Sequence, residues 1–336
     1  MSSFINPAMS SFINKDARIF VAGHRGLAGS AIVRRLGALG YTNLLLRTRK
    51  ELDLLDASAV EWFFQTERPE FVFLAAAKVG GILANRDFPA DFIAENLRIQ
   101  LNVIESAHRA SVRRLLFLGS SCIYPRLAPQ PIHEDQLLAG PLEFTNRSYA
   151  VAKIAGIEMC WAYNRQHGTQ YLAAMPTNLY GPGDNYDLAN SHVLPALIRK
   201  VHQAKQAGAT ELVVWGTGAP LREFLYSDDM ADACVFLLNL PEPEFTAITS
   251  DAERAPLVNV GYGSDLSIAE LAHTVCRVLQ FPGRIAFDTT KPDGTPRKLM
   301  DSSRLFSLGW RPQVALEEGI RRAYSDFLAR ERAETL

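Results

Sequence analysis

Residues 18–40 read RIFVAGHRGLAGSAIVRRLGALG, and this stretch decides the fold. Arg18 to Ala22 is a short apolar run of strand size. Glycines 23, 26 and 29 follow as GxxGxxG, and Ile32, Val33, Leu36 and Leu39 then recur at helical spacing. A strand, a tight glycine turn and a helix amino terminus make a seat for a dinucleotide pyrophosphate, because free backbone N–H groups and the helix dipole face the anion. The spacing departs from the GxGxxG form, so the motif is read with its neighbours. Outward from it, Thr42–Leu46 is the next strand, Phe71–Ala77 (FVFLAAA) a third and Leu115–Leu118 a fourth, with helices between them. This alternation predicts an α/β fold, a doubly wound parallel sheet of the Rossmann-like kind with a smaller C-terminal substrate-binding domain. In such sheets ligands bind beyond the carboxyl ends of the strands.

The second strand ends in RTRKELDLLD. A site selecting NAD offers a carboxylate there for the ribose diol. This chain offers Arg47 and Arg49, which can bind a 2′-phosphate bidentately, so NADP(H) is expected over NAD(H). Asp53 is placed like a residue beside the adenine, and could equally cap the helix starting near Ala57. The small-residue end of the third strand, at Ala76, lets a cofactor approach the backbone.

The fourth strand ends GSSCIYP, and Tyr149 and Lys153 then begin the helical run RSYAVAKIAGIEMCWAYNRQH (147–167). Spacing of four puts phenol and ammonium on one face. A lysine beside a phenol lowers the cost of proton transfer through it. These parts suit hydride addition to a ketone, with Tyr149 supplying the proton and Ser120 or Ser121 holding the oxygen. Cys122 and His192 are surplus to simple reduction. A thiol and an imidazole both exchange protons near neutrality, so two such groups flanking a carbonyl can epimerise an adjacent carbon through an enolate. Further on, Leu212–Trp215 is a short strand, Arg222 precedes the acidic pair Asp228 and Asp229, and 241–255 reads as a solvated loop. Lys291, Arg297 and Lys298 lie in a Pro/Gly-rich loop suited to a diphosphate. The expected division is 1–17 as a flexible extension, 18–175 plus 226–255 as the NADP(H)-binding domain, and 176–225 plus 256–336 as mainly the substrate domain.

Composition narrows the classes. In 336 residues, 35 Lys+Arg stand against 36 Asp+Glu, which gives no basic stripe for nucleic acid. The longest apolar runs are strand-sized, so no membrane span is expected. Cysteines 122, 160, 234 and 276 form no CxxC pair, suggesting a reducing compartment, the cytoplasm, and no metal site. The opening MSSFINPAMSSFIN is a short duplication without a signal-peptide core, and Met9 is a candidate alternative start.

GxxGxxG, the SSC strand end and YxxxK together resemble the extended short-chain dehydrogenase/reductase family. Longer strings, among them FVAGHRGLAGSAI, LRTRKELDLLD, FLGSSCIYP, PTNLYGPGDN and KPDGTPRKLMD, are similar to the GDP-L-fucose synthase family within it, over about residues 18–325. The resemblance implies epimerisation of C3 and C5 of GDP-4-keto-6-deoxy-D-mannose, then NADPH-dependent reduction of C4 to give GDP-L-fucose. It implies Cys122 as base, His192 as acid, and Ser120, Tyr149 and Lys153 as the reductase triad. It places Gly23, Arg25, Gly26, Gly29, Arg49, Asp53, Ala76, Lys153, Pro176, Asn178, Leu179 and His192 at the cofactor. Ser121, Asn178, Lys200, Trp215, Arg222, Lys291, Arg297 and Lys298 fall to the GDP-sugar, with Lys200 standing where bacterial relatives often carry arginine. Members are usually homodimers joined by helices that here would be about 92–108 and 149–165. Related 4-epimerases and 4,6-dehydratases keep their nicotinamide bound, and have no need of the Cys122/His192 pair.

Overall fold

The computed structural model describes residues 12–188 and 190–335. The duplication and Met9 lie almost wholly outside that range. Strand β1 (Ile19–Ala22) runs into α1 (Leu27–Ala38), followed by β2 (Leu44–Leu45), α2 (Ala57–Glu67) and β3 (Phe71–Leu74). Helices α3 (Ile82–Asp87) and α4 (Pro89–Arg109) lead to β4 (Arg114–Leu118), α5 (Arg147–His167) and β5 (Tyr171–Pro176). Next come β6 (Asn178–Tyr180), α6 (Val193–Gln206), β7 (Glu211–Trp215), β8 (Leu221–Arg222), β9 (Phe224–Tyr226), α7 (Ser227–Leu238) and α8 (Glu242–Thr249). The chain finishes through β10 (Leu257–Val260), β11 (Leu266–Ser267), α9 (Ile268–Val278), β12 (Arg284–Asp288), β13 (Arg297–Lys298), α10 (Ser303–Ser307) and α11 (Leu316–Thr335).

Six strands form one parallel sheet in the order β10-β5-β4-β3-β1-β2. β1, β3, β4 and β5 are buried along their whole length, as a parallel sheet covered on both faces requires. One apolar cluster joins α1 and α7 to the sheet, and a second joins α2, α4 and α5 to its other face. The strand order reverses between β1 and β3, which makes their carboxyl ends the switch point where ligands collect. A third cluster binds α6, α9 and α11 to β7. β7 and β12 form their own parallel pair, and β8 lies between β11 and β13.

Three expectations need correction. Residues 12–17 do not form a loose extension: Ile13 is fully buried in the core. Phe12 lays its ring 3.5 Å from the guanidinium carbon of the buried Arg114, whose other face meets Phe245 at 3.9 Å. Strand β10, read as part of the second unit, is the outer strand of the large sheet, since Leu257–Val260 pairs with Ala173–Pro176. Residues 241–255 are not simply a loop. Phe245, Ile248 and Thr249 share a buried face of α8, and the proline and acidic residues around them mask that short periodicity.

Candidate active site

The glycine turn is a packing necessity before it is a binding motif. Gly23 has φ +81°, and a Cβ there would lie 2.8 Å from the Ala76 backbone. A Cβ on Gly29 would lie 2.1 Å from the Gly23 carbonyl oxygen. Gly26 caps α1 with no side-chain hydrogen bond, so the first N–H groups of a twelve-residue helix stay open to an anion. This cradle opens on a cleft of about 890 Å³ along the carboxyl edge of the large sheet. Gly23, Arg25, Gly26, Gly29, Arg49, Asp53 and Ala76 line one end of it, and Lys153, Pro176, Asn178, Leu179 and His192 the other. Such a cradle, which side chains at residues 23 and 29 would fill, fits a dinucleotide.

At the β2 end the two arginines part company. Arg47 donates to Glu67 at 2.5 Å and lies over Phe63, so its charge is already partnered. Arg49 is well exposed and pairs with Asp53 at 3.6 Å, a looser tie than that of Arg47 and one that solvent screens. Helix α2 is capped by Asp56 through Ala59 N–H, not by Asp53, whose carboxylate accepts from Leu55 N–H.

At the centre, β4 ends where Ser120, Ser121 and Cys122 turn into a single 3₁₀ turn beside α5. The Ser120 hydroxyl lies beside both the Tyr149 phenol and the Cys122 thiol, where it favours the ionised form of each. Lys153 is buried, donates from Nζ to the Leu118 carbonyl at 2.8 Å, and stands 5.8 Å from the Tyr149 ring centroid. Burial, together with the neighbouring Cys122, pushes the Tyr149 phenol well up, so it stays protonated and can act as a donor. Burial brings Lys153 down to about 8. The Cys122 thiol is raised by burial, while Lys298, Ser120 and Lys153 act the other way by favouring the thiolate. His192 caps α6 without a side-chain capping bond. Its ring keeps solvent contact, yet the protein around it disfavours the imidazolium and lowers its pKa.

Asn178, Leu179 and His192 also border a second cavity of about 300 Å³. Trp215, Arg222 and Asp293 line it. The exposed Trp215 ring has Lys200 Nζ at 4.9 Å and Lys291 Nζ at 5.6 Å, giving an aromatic face beside two cations. The 291–298 loop does not act as one patch. Arg297 is clamped by Asp265 at 2.6 Å and 3.2 Å and lines neither cavity. Lys298, adjacent to it, faces Cys122 and Arg222 and is pulled down by burial. Ser121 lines the large cleft. Sequence reasoning missed Asp293, which fixes its loop by accepting from Thr217 N–H at 2.9 Å and Thr217 Oγ1 at 2.7 Å. Its signal, Pro-Asp-Gly, reads as a turn. No cluster of metal-ligating side chains occurs among the described residues, and no helix among them is long and apolar enough to cross a membrane.

Residues 19–248 match the profile of the NAD dependent epimerase/dehydratase family. A putative GDP-L-fucose synthase of Arabidopsis thaliana is 58% identical over 95% of this chain and 94% of its own length. The GDP-L-fucose synthase of Escherichia coli is 53% identical, covering 93% and 96%. A solved GDP-L-fucose synthetase of Naegleria fowleri, bound to NADP, superposes with TM-score 0.84 at 30% identity over 95% of each chain. The chain therefore belongs to the NAD dependent epimerase/dehydratase family and, inside it, to the GDP-L-fucose synthase family.

Proposed function

We propose that this protein is a bifunctional GDP-L-fucose synthase. It epimerises C3 and C5 of GDP-4-keto-6-deoxy-D-mannose and reduces the C4 ketone with NADPH, yielding GDP-L-fucose. The observation that carries the reading is one hydroxyl, Ser120, set beside both a phenol and a thiol, so the groups for reduction and for carbon-acid chemistry can serve one substrate carbonyl. The family membership given by the relatives supports it.

C3 and C5 both flank the C4 carbonyl, so one site can serve both epimerisations. Cys122 as thiolate removes the proton from the carbon, and His192 returns one from the other face. Ser120 and Tyr149 hold the enolate oxygen between the two transfers. NADPH, when bound, supplies the hydride for C4. Tyr149 then gives its phenolic proton to the C4 oxygen, and the Lys153 ammonium, 5.8 Å from the ring centroid, favours the resulting phenolate by its charge. Gly23, Gly26 and Gly29 would hold the dinucleotide phosphates, with Arg25 and Arg49 nearest its 2′-phosphate. Trp215, Lys200, Arg222 and Lys291 would take the GDP moiety.

Two units follow the chemistry: a cofactor unit on the large sheet and a nucleotide-sugar unit on α6, α9 and α11. A homodimer through α4 and α5 is supported by Leu101 and Val151, which remain 47% and 38% exposed on those helices. The test is NADPH oxidation with GDP-4-keto-6-deoxy-D-mannose, the product's configuration being read by NMR. Stoichiometric oxidation with GDP-L-fucose formed is expected. An unepimerised 6-deoxyhexose would instead leave a plain 4-reductase, and Cys122 and His192 without these roles.

A further inference from the structure

Lys153 is a buried ammonium with no carboxylate paired to it among the described residues. Its Nζ donates to the Leu118 carbonyl at 2.8 Å, the one acceptor it has among them. Taking such a charge out of water is costly unless something takes the water's place. Nζ also lies over the ring of Phe117, 4.7 Å from its centroid, and over that of Tyr149 at 5.8 Å. An ammonium within about 6 Å of a ring face is attracted by the ring quadrupole, more strongly where water is excluded. Tyr149 is the reacting group, whereas Phe117 has no part in the chemistry above.

The Phe117 ring is fixed where it stands. It is 1% exposed on β4 and is wedged between α4 and α5. A Cβ on Gly156 would lie 2.4 Å from Phe117 Cζ and 2.8 Å from Gln100 Oε1. Gly156 comes three residues after Lys153, on the same face of α5, so the helix settles onto the ring where it carries no side chain. Gln100 reaches over from α4 and donates to the Ala152 carbonyl at 2.7 Å, which holds the two helices together at that level. The ring therefore has no room to turn away from Nζ. Other groups do not replace it. Cys122, in the turn after β4, favours the ammonium, and Lys298 faces that thiol from β13. Glu95, which reaches the cleft from α4, is engaged by Lys78 at 2.5 Å. Tyr149 is a neutral phenol, and burial disfavours the imidazolium of His192 at the start of α6.

We infer that Phe117 is a positioning residue for the reduction: its ring face holds the Lys153 ammonium beside Tyr149 and stands in for the counter-ion that this site lacks. The inference rests on the reading above, in which the Lys153 charge favours the Tyr149 phenolate. The sign is definite. A ring face that favours the ammonium raises the pH at which its charge is lost, so weakening that face brings the loss to lower pH.

The experiment follows single-turnover NADPH oxidation by the full-length protein, with the ketone supplied already epimerised, from about pH 6 to about pH 10. The native rate is expected to fall with a midpoint at about pH 8. Phe117→Leu keeps an apolar side chain but removes the ring face, and its midpoint should drop by about one pH unit. Phenylalanines carrying one, two and three ring fluorines, placed at residue 117, keep the shape while draining charge from the face. Their midpoints should step downward with each fluorine, a result that packing alone would not produce. The fluorinated series also serves should Phe117→Leu fail to fold. A midpoint that stays fixed across that series, whatever happens to the rate, overturns the inference and leaves the role of Lys153 untouched. A native rate with no alkaline fall would overturn the role of Lys153, and this inference with it.

Discussion

A single serine hydroxyl beside Tyr149 and Cys122 ties two kinds of proton transfer to one position, and the two can be separated by substitution. Cys122→Ser is expected to lower epimerisation by about 10²–10⁴-fold, the usual worth of a positioned acid or base. Reduction of a ketone supplied already epimerised should be spared. Equal loss of both steps, followed by NMR deuterium wash-in and by NADPH absorbance, would refute that division. Lys153 gives a pH prediction with a definite sign. Burial has lowered its pKa to about 8, so the charge is present below that pH and is lost as pH rises through it. Single-turnover NADPH oxidation should therefore slow above about pH 8, through loss of the ammonium that steadies the Tyr149 phenolate. At this scale the sequence was a fair guide to which residues line the cleft, because strand ends and the YxxxK spacing are local. It could not show that Glu67 engages Arg47 or that Asp265 engages Arg297, since those pairs are brought together only by folding.

Elements carry these side chains through close backbone contacts, and the turn between β1 and α1 has the least slack. In Gly29→Ala the added methyl would press on the Gly23 carbonyl oxygen, 2.1 Å away, which is backbone and cannot rotate aside. A loss of about 1–3 kcal/mol of stability is expected, read from urea midpoints, together with weakened dinucleotide binding. Parallel strands were legible as unbroken apolar runs such as Phe71–Leu74, and α5 as a long run opening on Tyr149. Helix α8 was not, because its three buried residues sit in a stretch, 241–255, that holds six Pro, Glu and Asp. Nor was the seating of Phe12 and Ile13, where nothing nearby in sequence announces the Arg114 and core partners they meet.

On the scale of the whole molecule, the α4–α5 face makes a dimer prediction that is independent of activity. Leu101→Arg would set a charge on an exposed apolar position of α4, and should shift sedimentation from dimer to monomer. An unchanged sedimentation coefficient would remove this face from consideration. The place of β10 matters to anyone wishing to cut the protein in two. Its four residues pair with β5 only after the chain has passed through β6 to α8. A polypeptide stopping at residue 176 would hold every glycine of the cradle, yet leave Tyr171–Pro176 as a bare, apolar, unpaired margin, the kind of margin that recruits other chains. Such a fragment is expected to collect in the pellet, and supplying residues 177–335 in trans during refolding should return it to the supernatant. The cofactor half is then not a module that could be lent to another protein, because its last seam is sewn by thread that has first travelled through its neighbour.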